Sequence, residues 1–166
     1  MHSSFPTDTL RRATIELLSD TQILITRSFD ALRQKVFAAM TRPEHVRRWY
    51  GPRRLEFVVC EIDLRVGGRW RYLLRAPDGS EHGFQGAYLE IVAPELLRST
   101  EYYEALGPEH TFEARVSLED IGGVTVFTNT IQYTCKADRD GHLAAGMEAG
   151  MNETFDRLAE LLPGIG

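Results

Sequence analysis

From Leu55 to Cys135 the chain is a succession of β-prone runs joined by spacers too short for any but antiparallel neighbours. The runs are Leu55–Leu64, Arg69–Arg75, His82–Val92, Leu96–Tyr103, His110–Glu119 and Val124–Cys135. The breaks between them include Arg65 to Gly68, Pro77 to Gly79, Ala93 to Glu95 and the pair Gly122 and Gly123. A parallel crossover needs about a dozen residues or more, so these spacers predict a meander of hairpins. His110–Glu119 alternates with period two. Phe112, Ala114, Val116 and Leu118 fall on one face, Thr111, Glu113, Arg115 and Ser117 on the other. Gln22–Phe29 reads as a further strand, and Thr14–Leu18 as a short one ahead of it.

Helical patterns flank this β region. Asp30 is placed to cap a short helix over Ala31–Met40, with Leu32, Val36, Phe37 and Met40 on one side. Thr41 to Glu44 has the form of a capping box and predicts a second short helix, ended by Gly51 and Pro52. Near the C-terminus, Asp140–Leu162 carries an apolar stripe through Leu143, Met147, Gly150, Met151, Phe155, Leu158 and Leu162. Glu148, Asn152, Asp156 and Glu160 line the other side, and Glu153 with Arg157 is spaced for a surface ion pair. The expected fold class is α+β: an antiparallel sheet of about six to seven strands around one long C-terminal helix, with two short helices after the first strand. Residues 1–12 read as a flexible tail and 13–166 as one domain. One helix does not cover the concave face of so long a sheet, so side chains fill the space between them or a cavity remains.

Composition excludes some classes of function. The formal net charge is −5, which opposes the positive footprint that nucleic acid requires. No apolar run approaches the roughly 20 residues that span a bilayer, and the first residues have no secretory pattern. With only Cys60 and Cys135, both in apolar runs and read as inert free thiols, the expected compartment is the cytoplasm.

Five ordered segments resemble a known group. They are Ile25 to Asp30, Pro43 to Pro52, Cys60 to Trp70, Pro77 to Gly79 with Gly86 to Ile91, and Gly146 to Met151 with Asp156 to Leu158. In that order they resemble the START-like SRPBCC superfamily. Within it, they resemble the bacterial family named after the C-terminal domain of the activator of the ninety-kilodalton heat-shock protein's ATPase. The likeness runs from Thr14 to Leu162. Leu32, Tyr50 and Val66 depart from it, standing where the family favours proline, tryptophan and proline. The resemblance implies a helix-grip fold with a cavity between sheet and C-terminal helix, its ligands differing from member to member. It supplies no shared catalytic constellation.

Trp49, Tyr50, Trp70, Tyr72 and Phe84, with Met147, Met151 and Phe155 from the helix, are the candidate ligand-binding residues. A three-residue loop at Pro77–Gly79 sets Tyr72 opposite Phe84 and Trp70 opposite Gly86 on one sheet face, with Arg69, Arg71 and Arg75 on the other. Met147 and Met151 suit an adaptable wall, and Gly146 and Gly150 give space within the helix. Ordinary core packing is the competing account of each residue. The five histidines are not spaced as metal ligands, and no nucleophile motif or phosphate loop is present. Glu101 to Glu104 reads as a strand end meeting solvent, and Glu61 and Asp63 as solvated partners of Arg69 and Arg71. These readings assign no catalytic residue, metal or cofactor. They make the chain an intracellular binder of a small hydrophobic or aromatic molecule. A polyketide cyclase or aromatase of the same superfamily and a co-chaperone that activates an ATPase are the alternatives, and a homodimer is left open.

Overall fold

The computed structural model describes residues 12–165. The tail expected over residues 1–12 therefore lies, Arg12 apart, outside the described residues. The chain runs β1 (Thr14–Ser19), β2 (Gln22–Phe29), α1 (Arg33–Thr41), α2 (Pro43–Trp49) and β3 (Glu56–Ile62). It continues through β4 (Arg69–Arg75), β5 (Glu81–Val92), β6 (Leu96–Tyr103), β7 (Phe112–Ile121) and β8 (Val124–Gln132). It ends with α3 (Lys136–Ala144) and α4 (Met147–Leu161). The strands form one sheet in the order β1-β2-β8-β7-β6-β5-β4-β3, and every neighbouring pair is antiparallel. The architecture is the expected α+β helix-grip, with eight strands rather than six or seven. The additional one is β1, a largely exposed edge strand.

After β2 the chain must reach the opposite edge of the sheet, and α1 and α2 make that crossing. Thr41 does not open α2 as the capping-box pattern suggests. It is the last residue of α1, and its hydroxyl donates to the Phe37 carbonyl at 2.7 Å. Pro43 decides the boundary. It fits the first helical position and forces the residue before it out of the α region, and Arg42 is accordingly extended at φ −103°, ψ 125°.

The C-terminal helix is also not continuous. Gly146 adopts φ +81°, a conformation open to glycine at little steric penalty, and it separates α3 from α4. Helical structure begins at Lys136, ahead of the expected Asp140, and β8 stops at Gln132. Cys135 thus precedes a helix and is exposed, whereas Cys60 is half-buried. The apolar stripe of α4 packs inward through Phe155, Leu158 and Leu161. Phe155 meets Phe29 and Phe127 edge-on, with centroids at 5.9 and 5.1 Å.

One flank of α4 is tied to the end of α2. Arg157 donates to the Gly51 carbonyl at 2.6 Å and to that of Arg48 at 2.9 Å, satisfying acceptors that a helix end leaves free. Glu153 instead accepts from the Arg53 backbone N–H at 2.8 Å. The expected Glu153–Arg157 pair is not formed, because each side chain has a better-placed partner across the interface. Arg27 of β2, buried, lies 5.0 Å from the Phe29 ring centroid and pairs with Asp156 of α4.

Candidate functional site

The inward face of β4 carries Trp70, Tyr72 and Leu74, all buried. The loop after it closes as the sequence predicts: the Ala76 N–H donates to the Ser80 carbonyl at 2.8 Å, leaving residues 77–79 as the turn. Trp70 consequently pairs with Gly86 and Tyr72 with Phe84. Arg69 and Arg71 point to the other face, where Arg71 forks onto Glu104 at 2.7 and 3.0 Å and Arg69 meets Gln85 at 2.8 Å. Asp63 pairs with Arg65, while Glu61 stands opposite Arg71 across the β3–β4 ladder; the hydrogen-bonded partners of Arg69 and Arg71 are instead Gln85 of β5 and Glu104, just past β6.

Aromatic rings gather around Tyr50, which lies just past α2. Its centroid is 4.8 Å from Tyr72, 6.1 Å from Phe57 and 6.3 Å from Phe84, all edge-on. Trp70 leans on Tyr72 at 4.7 Å. These geometries suit the electrostatics of aromatic rings. Of the expected site residues, Tyr50, Trp70, Tyr72 and Phe84 thus stand together, joined by Phe57, which the sequence did not single out. Trp49 touches Tyr50 at 6.0 Å. Its indole N–H is taken up by the Ala39 carbonyl at 2.8 Å, so it locks α2 onto α1. Met147 and Met151 are half-buried against the core. Phe155 belongs to the β2 and β8 side of the interior.

A second aromatic group lies on the far side of the sheet floor. Phe112 and Tyr133 are 5.4 Å apart, and His142 of α3 is 5.4 Å from Phe112. The Tyr133 hydroxyl is hydrogen-bonded to His142 Nδ1. Burial lowers the pKa of His142 and raises that of Tyr133, so both favour their neutral forms.

Between the two groups the floor is made of small residues. Ser99 of β6 pairs with Tyr88 on one side and with Ala114 on the other. One register step further, Phe84 pairs with Tyr103 and Tyr88 with Ser99, which sets Gly86 opposite Glu101. Glu101 in turn pairs with Phe112. A row therefore crosses the inner face as Trp70, Gly86, Glu101, Phe112. Glu101 is not at a solvated strand end. It faces inward because alternation along β6 carries Leu97, Ser99, Glu101 and Tyr103 to the same side. Burial pushes its carboxyl from an ordinary 4.5 up to about 7. Its side chain nonetheless retains some accessible surface. Tyr50 shows the same combination: half-buried, with its phenol pKa raised well above 10.0, by burial first.

Two inward polar groups lack a protein partner among the described residues. The Trp70 Nε1 is fully buried without a hydrogen bond, and the Glu101 carboxyl accepts none from any described residue. A separate groove of about 440 Å³ lies outside α1 and α2, lined by Gln34, Lys35, Arg42, Glu44 and His45 among others. It is open and charged, and none of the aromatic residues reaches it, so the interior face of the sheet is the stronger candidate.

Fold and site define a class, a helix-grip domain of the START-like SRPBCC type with an aromatic-walled sheet face under its C-terminal helix. More particularly, the chain belongs to the family described as activator of Hsp90 ATPase homolog 1-like protein, whose model matches residues 30–163. Solved structures share the fold. A Rhodobacter sphaeroides protein superposes with a TM-score of 0.85 at 24% identity, over 92% of this chain and 99% of that one. A Staphylococcus epidermidis protein gives 0.79 at 26% identity, covering 91% and 94%. A Silicibacter pomeroyi protein bearing the same family name gives 0.71 at 16% identity, covering 86% and 97%. Among curated proteins, none matches the sequence.

Proposed function

We propose that the chain binds a small hydrophobic or aromatic molecule in the space between the sheet and α4, with Tyr50, Trp70, Tyr72 and Phe84 as its principal wall. The observation that carries this reading is the floor itself. Ser99 and Ala114 lie side by side at the middle of the sheet, with Gly86 in the adjoining row of the register beside Trp70, where a solid core would hold branched side chains. Mostly apolar walls with a few polar groups are the usual form of small-molecule sites. Met147 and Met151 supply the adaptable side of the site from α4. The setting proposed is the cytoplasm, in keeping with two free cysteines. No helix among the described residues is long and apolar enough to cross a membrane.

The test fills the floor. Native mass spectrometry and titration with a fluorescent hydrophobic probe are run on wild type and on Ser99→Phe. Wild type retains or takes up a small molecule and the variant does not. Equal silence from both, in folded protein, removes the reading.

Glu101 favours a second reading, an enzyme of the cyclase or aromatase kind known in the superfamily. A carboxyl with a pKa near 7 in an apolar site suits proton transfer at neutral pH. Turnover of a polyketide-like substrate that is lost in Glu101→Gln separates it from simple binding.

A further inference from the structure

We propose that the Glu101 carboxyl receives the ammonium group of the ligand, an aromatic molecule that carries a protonated aliphatic amine. This deepens the binding reading given above and rests on it. Alternation along β6 turns Glu101 inward with Leu97, Ser99 and Tyr103, and Leu97 is buried. The partner of Glu101 on β7 is Phe112, whose ring meets Tyr133 of the second aromatic group at 5.4 Å. Burial first, and the Glu101 charge among the lesser causes, raise the phenol pKa of Tyr50, Tyr72 and Tyr133. The carboxyl thus lies near rings of both groups. Unlike the Trp70 nitrogen, which is sealed in, Glu101 keeps accessible surface and is open to an incoming group.

Among the described residues no cation neutralises this carboxyl. The outward acids beside it are served differently: Glu104 holds Arg71 at 2.7 Å, and Glu113 holds Arg98 at 2.6 Å. Arg27, the buried cation of β2, is committed to Asp156 of α4. His142 is bonded through Nδ1 to the Tyr133 hydroxyl, and burial lowers its pKa, which favours the neutral ring. A carboxylate withdrawn from water without a cation or hydrogen-bond donors is unfavourable, and burial accordingly raises the pKa of Glu101 to about 7. A cationic ligand supplies the countercharge that the protein withholds.

Chemistry narrows the occupant further. A carboxylate only accepts hydrogen bonds, and an ammonium has only donors to give, so the pair is complementary in both charge and hydrogen bonding. A ligand carboxylate or phosphate would meet Glu101 with like charge. An alcohol donates one hydrogen bond but leaves the buried charge without a counterion. Aromatic surroundings also suit a cation, which is attracted to the faces of rings. Tyr50 and Tyr72 on one side, with Phe112 and Tyr133 on the other, give an apolar setting for the rest of the molecule. The body that carries the amine is therefore aromatic.

The experiment compares three probes of one skeleton, 2-naphthylmethylamine, 2-naphthylmethanol and 2-naphthoate, by calorimetric or fluorescence titration at neutral pH. Wild type is expected to hold the amine at least about tenfold tighter than the alcohol, the scale of one hydrogen bond to a charged group, and the carboxylate most weakly. Glu101→Gln keeps the shape without the charge and is expected to erase the gap between amine and alcohol while the alcohol binds as before. Glu101→Leu, checked for folding by circular dichroism, is a second variant with the same expectation for the gap. Glu119 is exposed on β7, and Glu119→Gln, which removes an equal charge there, is expected to leave the gap intact. Equal affinities for amine and alcohol in wild type overturn the ammonium assignment and leave the binding reading standing. So does a gap that survives in the Glu101 variants, or one that Glu119→Gln erases equally. Failure of all three probes to bind wild type overturns the binding reading and this assignment with it.

Discussion

Trp70 and Gly86 face each other across the β4–β5 ladder, with the indole nitrogen 2.9 Å from where a Cβ would project. The glycine is required from both sides, because the Thr100 carbonyl oxygen would lie 1.7 Å from the same atom. A flexible side chain can move aside, but a strand carbonyl cannot without disturbing its ladder. Gly86→Ala is therefore expected to lower stability by about 1–3 kcal/mol, the usual range for overpacking. It should also alter the tryptophan emission of the folded protein. Urea denaturation followed by fluorescence reads both. Full stability and unchanged emission would show that the indole and the Thr100 carbonyl are not held over residue 86.

Glu101 makes stability depend on pH in a defined direction. Burial holds its folded pKa at about 7 against an ordinary 4.5. Between those values the folded chain keeps a proton that the unfolded chain has released. Stability contributed by this group is thus present below pH 4.5 and lost as pH rises through about 7, by at most about 3 kcal/mol. The neighbouring phenols Tyr50, Tyr72 and Tyr133 stay neutral throughout, their pKa values being raised. His142, whose pKa burial lowers from 6.5, acts in the opposite sense, since stability it contributes is lost as pH falls. The comparison that isolates Glu101 is wild type against Glu101→Gln. The variant should gain about 1–3 kcal/mol relative to wild type between pH 5 and pH 8 by chemical denaturation. A difference that does not change with pH would mean a solvated carboxyl.

The thiols should label at different rates. Cys135 is exposed at the start of α3. Cys60 is half-buried, its Sγ lies 3.8 Å from the Pro43 carbonyl oxygen, and burial pushes its pKa to about 11. Titration of native protein with a thiol reagent should show one fast and one slow cysteine, and Cys135→Ser should remove the fast phase. Two slow phases would return Cys135 to the interior, where its apolar flanks in the sequence had suggested it lies.

The inner wall was legible because its register was. A period of two and a three-residue loop suffice to set Trp70 over Gly86 and Tyr72 beside Phe84, and one face follows from the other. Glu101 was not legible, although it follows the same alternation. A charged residue before two tyrosines and a second glutamate reads as a solvated strand end. The loop from Glu104 to Thr111 is also long enough to leave the β6–β7 register free. The split of the last helix escaped notice for a different reason. Leu143 and Met147 keep the spacing of one apolar stripe across Gly146, so periodicity alone does not report the turn there. Cys135 was misplaced because the strand pattern of β8 continues in sequence past Gln132, while the backbone leaves the sheet.

Gly150 gives the converse of Gly86. The buried face of α4 is marked by Phe155, Leu158 and Leu161, and Gly150 lies two turns before Arg157 on the flank that meets the end of α2. It is thus at the edge of the apolar stripe, not at its centre. A Cβ there meets nothing within 4 Å, and its backbone is helical within α4. Alanine should therefore remove the entropic penalty of a mid-helix glycine without meeting a neighbour. Gly150→Ala is expected to raise stability by about 0.5–1 kcal/mol. It should leave probe binding unchanged, because the flank toward Arg157 is not the wall formed by Trp70 and Tyr72. Chemical denaturation and the fluorescent-probe titration, run side by side, check both halves. A loss of stability would mean that α4 packs more closely on its α2 flank than this geometry allows. A loss of probe binding at full stability would place Gly150 on the wall of the ligand space and move that space toward α2.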